Sequence, residues 1–276
     1  MRLLIVLAGV LLLAACQKDK PEPVAEQLEF IHIAHTRTGD NAVFLDDLQR
    51  INFQQFDLRL LGGDLAAHTS ADEATMDSLD RFFDFRNPNT LWTLGNHDYD
   101  DLALVETYTE RPTFFAHHFK GISFVVLDSQ DSLSNITAAQ IELIKAVLDT
   151  MESSSHLVLL THKLIWLQDE GELAAQINDI ANGEAGSCFY CTNPNNFYQE
   201  VYPLLVSARQ HGVEIYCIAG DVGFKTKTYY HQTAEGIHFL ASGLNGSDPD
   251  NQVLLFEYDE ETQVLDWVFA RLSQIQ

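Results

Sequence analysis

From residue 30 onward, short apolar runs alternate with stretches whose apolar positions recur every three or four residues. Apolar runs bounded by turn residues predict buried strands at 30–34, 58–61, 90–94, 156–161 and 213–219. Helical spacing predicts helices over 41–56 (Val43, Phe44, Leu48, Ile51), 70–85, 137–151 and 197–211. Ser70 with Glu73, and Thr137 with Gln140, have the spacing of capping boxes. Two apolar runs, 113–119 and 122–127, flank Lys120-Gly121 and predict a hairpin. From Thr228 the chain holds strand runs at 237–241, 253–258 and 264–270, with no helix between them. Strand–helix alternation with antiparallel material in the middle and at the end predicts an α/β sandwich, two sheets between helix layers.

Five of these strands stop at a polar cluster: His35/Arg37, Asp64, Asn96/His97, His162 and Asp221. In open α/β sheets, ligands bind outside the carboxyl ends of parallel strands. A single polar residue after a strand is an ordinary turn former. Five clusters containing Asp, Asn and His imply one shared edge rich in oxygen and nitrogen donors.

Composition changes this picture in two ways. The 276 residues carry 40 acidic and 16 basic side chains, a net charge of −24. Nucleic acid is therefore not expected as a partner, and an anionic substrate needs local cations or a metal to reverse the field. The other change is at the N-terminus, where Arg2 precedes an apolar run over 3–15. That run is short for a membrane span, which takes about 20 residues, and matches the regions of a secretory signal. It ends Leu13-Ala14-Ala15-Cys16, which resembles the lipobox of bacterial lipoproteins. The resemblance implies cleavage before Cys16, acylation of Cys16 and attachment to the cell envelope. Gln17, rather than an aspartate, after the cysteine implies the outer membrane. Residues 1–15 are read as signal peptide, 16–27 as a tether bearing Pro21 and Pro23, and 28–276 as the folded domain.

The strand-end series resembles the calcineurin-like metallophosphoesterases. Leu94-Gly95-Asn96-His97-Asp98 is similar to that family's G-N-H-[DE], Gly63-Asp64 to its G-D, and His162 to its single His at a strand end. Val125-Val126-Leu127-Asp128-Ser129, followed by Gln140, is similar to a common connecting stretch. The resemblance implies a four-layer α-β-β-α sandwich and hydrolysis of phosphate esters by divalent ions. It implies that His97 faces the phosphate without binding metal, with Asp98 as candidate orienter of its ring.

The sequence departs from the family at both ends of the motif series. Where the family has D-x-H, this chain has His35-Thr36-Arg37; where it has G-H-x-H, this chain has Gly220-Asp221-Val222-Gly223. The first metal seat would contain His35, Arg37 and Asp64. A guanidinium cannot ligate a metal, so that seat is expected to be empty. The second seat retains Asp64, Asn96, His162 and Asp221, suited to one ion such as Mn, Fe, Zn or Mg. Arg37 then supplies the missing positive charge, pairing with a phosphate oxygen or with Asp64. The opposite reading is a salt-bridged relic, a catalytically inactive lipoprotein serving as a binding or scaffold module.

Other residues carry smaller expectations. Cys188 and Cys191 form a C-x-x-C without a redox or zinc context, either a loop staple or two free thiols. Cys217 reads as a buried apolar residue, His32 as structural and His68 as a group behind the site. His156, His211, His231 and His238 read as solvated. Lys163 and Lys225 lie near site loops and could steer an anion. Residues 164–196, with Trp166, Phe189 and Tyr190, form either a lid or a packed insert.

Overall fold

The computed structural model describes residues 27–39, 41, 44–151, 154–168 and 170–275. The signal segment, Cys16 and most of the tether lie outside the described residues.

The first half contains β1 (Gln27–Ile33), β2 (Leu58–Leu61), α1 (Glu73–Phe83), β3 (Thr90–Trp92), α2 (Leu102–Thr109), β4 (Phe115–Phe119), β5 (Ile122–Val126) and α3 (Ala138–Asp149). The second contains β6 (His156–Thr161), α4 (Gly171–Ala174), α5 (Ile177–Ile180), α6 (Tyr202–Gln210), β7 (Glu214–Ala219), β8 (Thr228–Gln232), β9 (His238–Ser242), β10 (Gln252–Asp259) and β11 (Val264–Arg271). They form two mixed sheets, ordered β11-β10-β1-β2-β3 and β4-β5-β6-β7-β9-β8. β1, β2 and β3 run parallel in the first, and β5, β6, β7 and β9 in the second. Antiparallel β10 and β11 complete one edge of the first sheet, whose other edge is β3, and antiparallel β4 and β8 complete both edges of the second.

Three apolar cores account for the four layers. Phe30, Leu60, Leu91, Phe124, Leu160 and Ile218 pack between the sheets. Met76, Leu79 and Phe83 of α1 pack on the outer face of the first sheet. Ile144 of α3 and Leu205 of α6 cover the second. Strands such as β2 and β6 are buried along their whole length, and coverage on both faces makes such strands continuous apolar runs in sequence. Among the described residues, no helix is long and apolar enough to cross a membrane.

Some local expectations are overturned. Where a helix is expected over 41–56, the described residues 44–56 form none; two 3₁₀ turns, Leu48–Arg50 and Phe53–Gln55, break the path. Asn52 accepts from the Gln54 N–H and Ile51 is extended, while Phe44, Leu48, Ile51 and Phe53 still reach the core. The apolar spacing records burial of a coiled segment, not a helix face. The cap of α1 is Asp72, which accepts from Thr75 N at 2.8 Å. Ser70 instead donates to Asp98 O and accepts from Asp101 N. Thr137 makes no side-chain cap bond; Gln140 turns to the backbone of Asp128, accepting from its N–H and donating to its carbonyl. His156 is buried, with its ring near those of Tyr216 and Tyr258, and burial pushes its pKa down to about 4.

Candidate metal centre

The parallel strands bring their carboxyl ends to one edge, and the loops beyond them form a cavity of about 250 Å³. His35 follows β1, Asp64 follows β2, Asn96 and His97 follow β3, and Asp221 follows β7; all line this cavity. His35 and Asp64 both adopt left-handed backbone angles, φ 55° and 56°. That conformation is uncommon for residues with a Cβ and clusters at functional sites. Gly95 allows the loops to close on one another: a Cβ there would stand 2.1 Å from Asp64 Oδ1.

Four buried side chains converge. His35 Nε2 lies 3.5 Å from Asp64 Oδ2 and 3.5 Å from Asp221 Oδ1. His162 Nε2 lies 3.6 Å from Asp64 Oδ1 and 3.9 Å from Asp221 Oδ1. The His35 and His162 rings stack with centroids 5.5 Å apart. His35 thus joins Asp64, His162 and Asp221 instead of standing with Arg37 in a separate first seat. Asn96 lines the same cavity.

The proton inventory explains why these groups fit a cation. His162 Nδ1 is 2.7 Å from the carbonyl oxygen of Gly62, which can only accept, so Nδ1 carries the ring proton. Nε2 then points a bare lone pair towards two carboxylates and has no hydrogen-bond partner. Asp221 Oδ2 is buried and unpartnered as well. Facing lone pairs at such depth are costly unless a cation lies among them. Separations of 3.5–3.9 Å are close to the ~3.4 Å edge of a tetrahedron around an ion with ligands at ~2.1 Å. Burial alone would raise the Asp64 carboxyl, but His162, His35, His97 and Arg37 hold it down at about 2. It is a permanent anion at neutral pH.

Arg37 and His97 form the outer wall. His97 Nδ1 lies 2.6 Å from the carbonyl oxygen of Ala67, so its Nε2 is the accepting atom, and Arg37 Nη1 donates to it. Arg37 Nη2 is 3.9 Å from Asp64 Oδ2, and the guanidinium lies 5.4 Å from the centre of the Phe224 ring.

Asp98 does not orient His97. Its carboxylate accepts from the N–H groups of Asp64, Leu65 and Gly95 and from the Thr69 hydroxyl. It fixes the loops after β2 and β3 against each other, and the Ala67 carbonyl takes the part expected of it. Burial and the Asp64 charge push the Asp98 carboxyl up. Lys163 is not free to steer an anion: it is fully buried, with Nζ 2.8 Å from the carbonyl of Phe189. Burial pushes its pKa down to about 8. His68 stands at the rim with Nδ1 3.4 Å from Asp100 Oδ2.

The sequence reading missed Asn182. Its Nδ2 is 3.2 Å from His35 Nε2, its N–H donates to Asp221 O, and its Oδ1 accepts from Phe224 N. The segment between β6 and α6 therefore reaches into the site. Its Asn-Gly pair at 182–183 is a turn signal, but no local signal says which loop that turn meets.

Comparison with known proteins places this geometry. A dimetal phosphatase from Danio rerio has a similar fold, with TM-score 0.56 and 12% identity over 89% of this chain and 99% of that one. An NAD nucleotidase from Haemophilus influenzae aligns with TM-score 0.42 and 13% identity, over 88% of this chain and 49% of that one. A 5′-nucleotidase precursor from Thermus thermophilus aligns with TM-score 0.43 and 14% identity, over 88% and 54%. No curated protein matches the sequence. Residues 31–269 match the calcineurin-like phosphoesterase family, a span that contains every strand-end residue described above. The chain belongs to the calcineurin-like phosphoesterases, a family of metal-dependent hydrolases of phosphoric esters.

Proposed function

We propose that this protein hydrolyses a phosphate mono- or diester at the bacterial cell envelope, using one divalent ion and Arg37. The supporting observation is the unpartnered Nε2 of His162, held in the wrong tautomer to bond the two carboxylates it faces. Asp64, His162, Asp221 and His35 would hold the ion, with Asn96 at the cavity wall. Manganese, iron, zinc and magnesium all suit parts of this mixed oxygen and nitrogen set. A bound ion supplies a polarised phosphate oxygen and a water of lowered pKa.

The chain's own groups do the remaining work. Arg37 has N–H groups beyond the one given to His97, and a substrate phosphate would draw the guanidinium towards its oxygens. That movement uncovers His97 Nε2, which then faces the ester. While Nε2 accepts from Arg37 it has no proton to give to a leaving oxygen. As the water oxygen bonds to phosphorus and the bond to the alcohol oxygen breaks, the water loses one proton to solvent and the alcohol oxygen gains one from His97 Nε2, which solvent protonates once Arg37 has moved away. The aim of His97 is set by the Ala67 carbonyl, not by an acid.

The same contacts favour a second reading, a metal-free member in which Arg37 neutralises Asp64 and caps His97. The two separate on purified protein, by bound metal and by turnover of simple phosphate esters with Mn, Mg or Zn. One ion and turnover, both lost in Asp64→Asn, support the enzyme; no ion and no turnover support the binding module. Envelope anchoring rests on the lipobox-like Cys16. Incorporation of labelled fatty acid, abolished by Cys16→Ser, is the expected result; labelling that survives the substitution overturns it.

A further inference from the structure

Tyr190 and Phe224 are 60% and 50% exposed, among the most exposed large apolar side chains of the described residues, and both line the cavity that holds Asp64 and His97. Exposed aromatic rings lose hydration-driven stability unless something covers them. Two such rings at the mouth of one polar cavity mark where an apolar, flat group would rest.

Their positions are fixed by contacts that a solvated loop does not need. Tyr190 lies inside the ring closed by the Cys188–Cys191 disulfide. Asn193 Nδ2 donates to the carbonyls of Cys188 and Cys191, and buried Lys163 donates to that of Phe189. A Cβ on Gly183 would stand 2.0 Å from Tyr190 O, so the two backbones touch. Phe224 is held by its N–H to Asn182 Oδ1, 2.9 Å, with Arg37 against its face and the His35 ring at its edge. The order is built into the backbone and two buried polar side chains, while half or more of each aromatic residue's surface stays exposed. Rings on a preorganised backbone, in residues at least half exposed, suit stacking, which ranks ligands by their π-face.

We propose that Tyr190 and Phe224 form a subsite for an aromatic group carried on the alcohol side of the phosphate ester. The proposal rests on the phosphoesterase reading above and deepens it by naming the substrate class. The phosphate occupies the polar floor beside Arg37 and His97, and the ring of the leaving alcohol lies against the aromatic rim.

The test compares a nucleoside 5′-monophosphate with ribose 5-phosphate on the metal-loaded protein. Both esters break the same kind of bond to the same primary alcohol, so leaving-group acidity cancels and only the base differs. A kcat/KM ratio of roughly tenfold or more in favour of the nucleotide is expected, the order that one stacked base provides. The ratio falls towards one in Tyr190→Ala and in Phe224→Ala, and is retained in Tyr190→Phe and Phe224→Tyr. Equal kcat/KM for the two esters, or a preference indifferent to both alanine variants, overturns the subsite. If neither ester is cleaved, turnover of the simple mono- and diesters named above decides the phosphoesterase reading, and calorimetric binding of the same two ligands decides the subsite separately. Tighter binding of the nucleotide, lost in the alanine variants, supports it; equal binding overturns it.

Discussion

Asp98 and His97 are neighbours in the chain with separable duties. The Asp98 carboxylate takes three backbone N–H groups and one hydroxyl. Truncating it leaves buried donors without acceptors, which costs roughly 3 kcal/mol or more. Asp98→Ala is therefore expected to lower the urea midpoint sharply. His97→Ala should shift stability by less than about 1 kcal/mol and lower kcat by about 10²–10⁴. Equal stability losses in the two variants would contradict the division of roles. The side-chain types at the site were legible because Asp, Asn and His after strands are unusual in such number. The Ala67 carbonyl that aims His97 was not: a backbone acceptor leaves no mark on residue type. Asn182 was hidden for a related reason, since a turn asparagine looks alike whether it faces solvent or a histidine ring.

At the level of elements, β strands were read more easily than the segments between them. A strand buried on two faces has a continuous apolar run, as β2 and β6 do, whereas residues 44–56 bury their apolar side chains through turns. Helix α2 escaped notice because its short length offers little periodicity. The insert between β6 and α6 is partly packed and partly functional: Trp166 stacks on Phe239 in the core, and Tyr190 lines the cavity. Its Cys188–Cys191 bond closes a loop of sequence separation 3, so chain entropy gives it only about 2 kcal/mol of stabilisation. Reductant should lower Tm modestly, and Cys188→Ser with Cys191→Ser should abolish that response. A reductant response that persists in the double variant would contradict the assignment.

Across the whole molecule the two sheets are joined through buried polar contacts as well as the apolar core. His32 on β1 meets Ser242 Oγ on β9 at 2.8 Å, and burial pushes its pKa down to about 3 from 6.5. The sign follows directly: the unfolded chain binds this proton below pH 6.5 and the folded chain does not until about 3. Stability present above pH 6.5 is therefore lost as pH falls, and His156 acts in the same direction down to about 4. Between pH 7 and 5, His32 alone should cost about 2 kcal/mol, from 1.4 kcal/mol per pH unit. Urea unfolding of metal-free protein at the two pH values checks this, with His32→Asn losing that share of the drop. Asp64 contributes in a lower window: its depressed pKa stabilises above about 4 and that share fades as pH falls towards 2. An undiminished drop in His32→Asn would assign the pH dependence elsewhere.

The convergence of His35, Asp64, His162 and Asp221 is tested most directly by counting metal ions on the purified chain. Element analysis after loading with manganese or zinc should give one ion per chain, and none in Asp64→Asn or His162→Ala. Two ions per chain, or one ion that survives both substitutions, would contradict a single centre built on these residues.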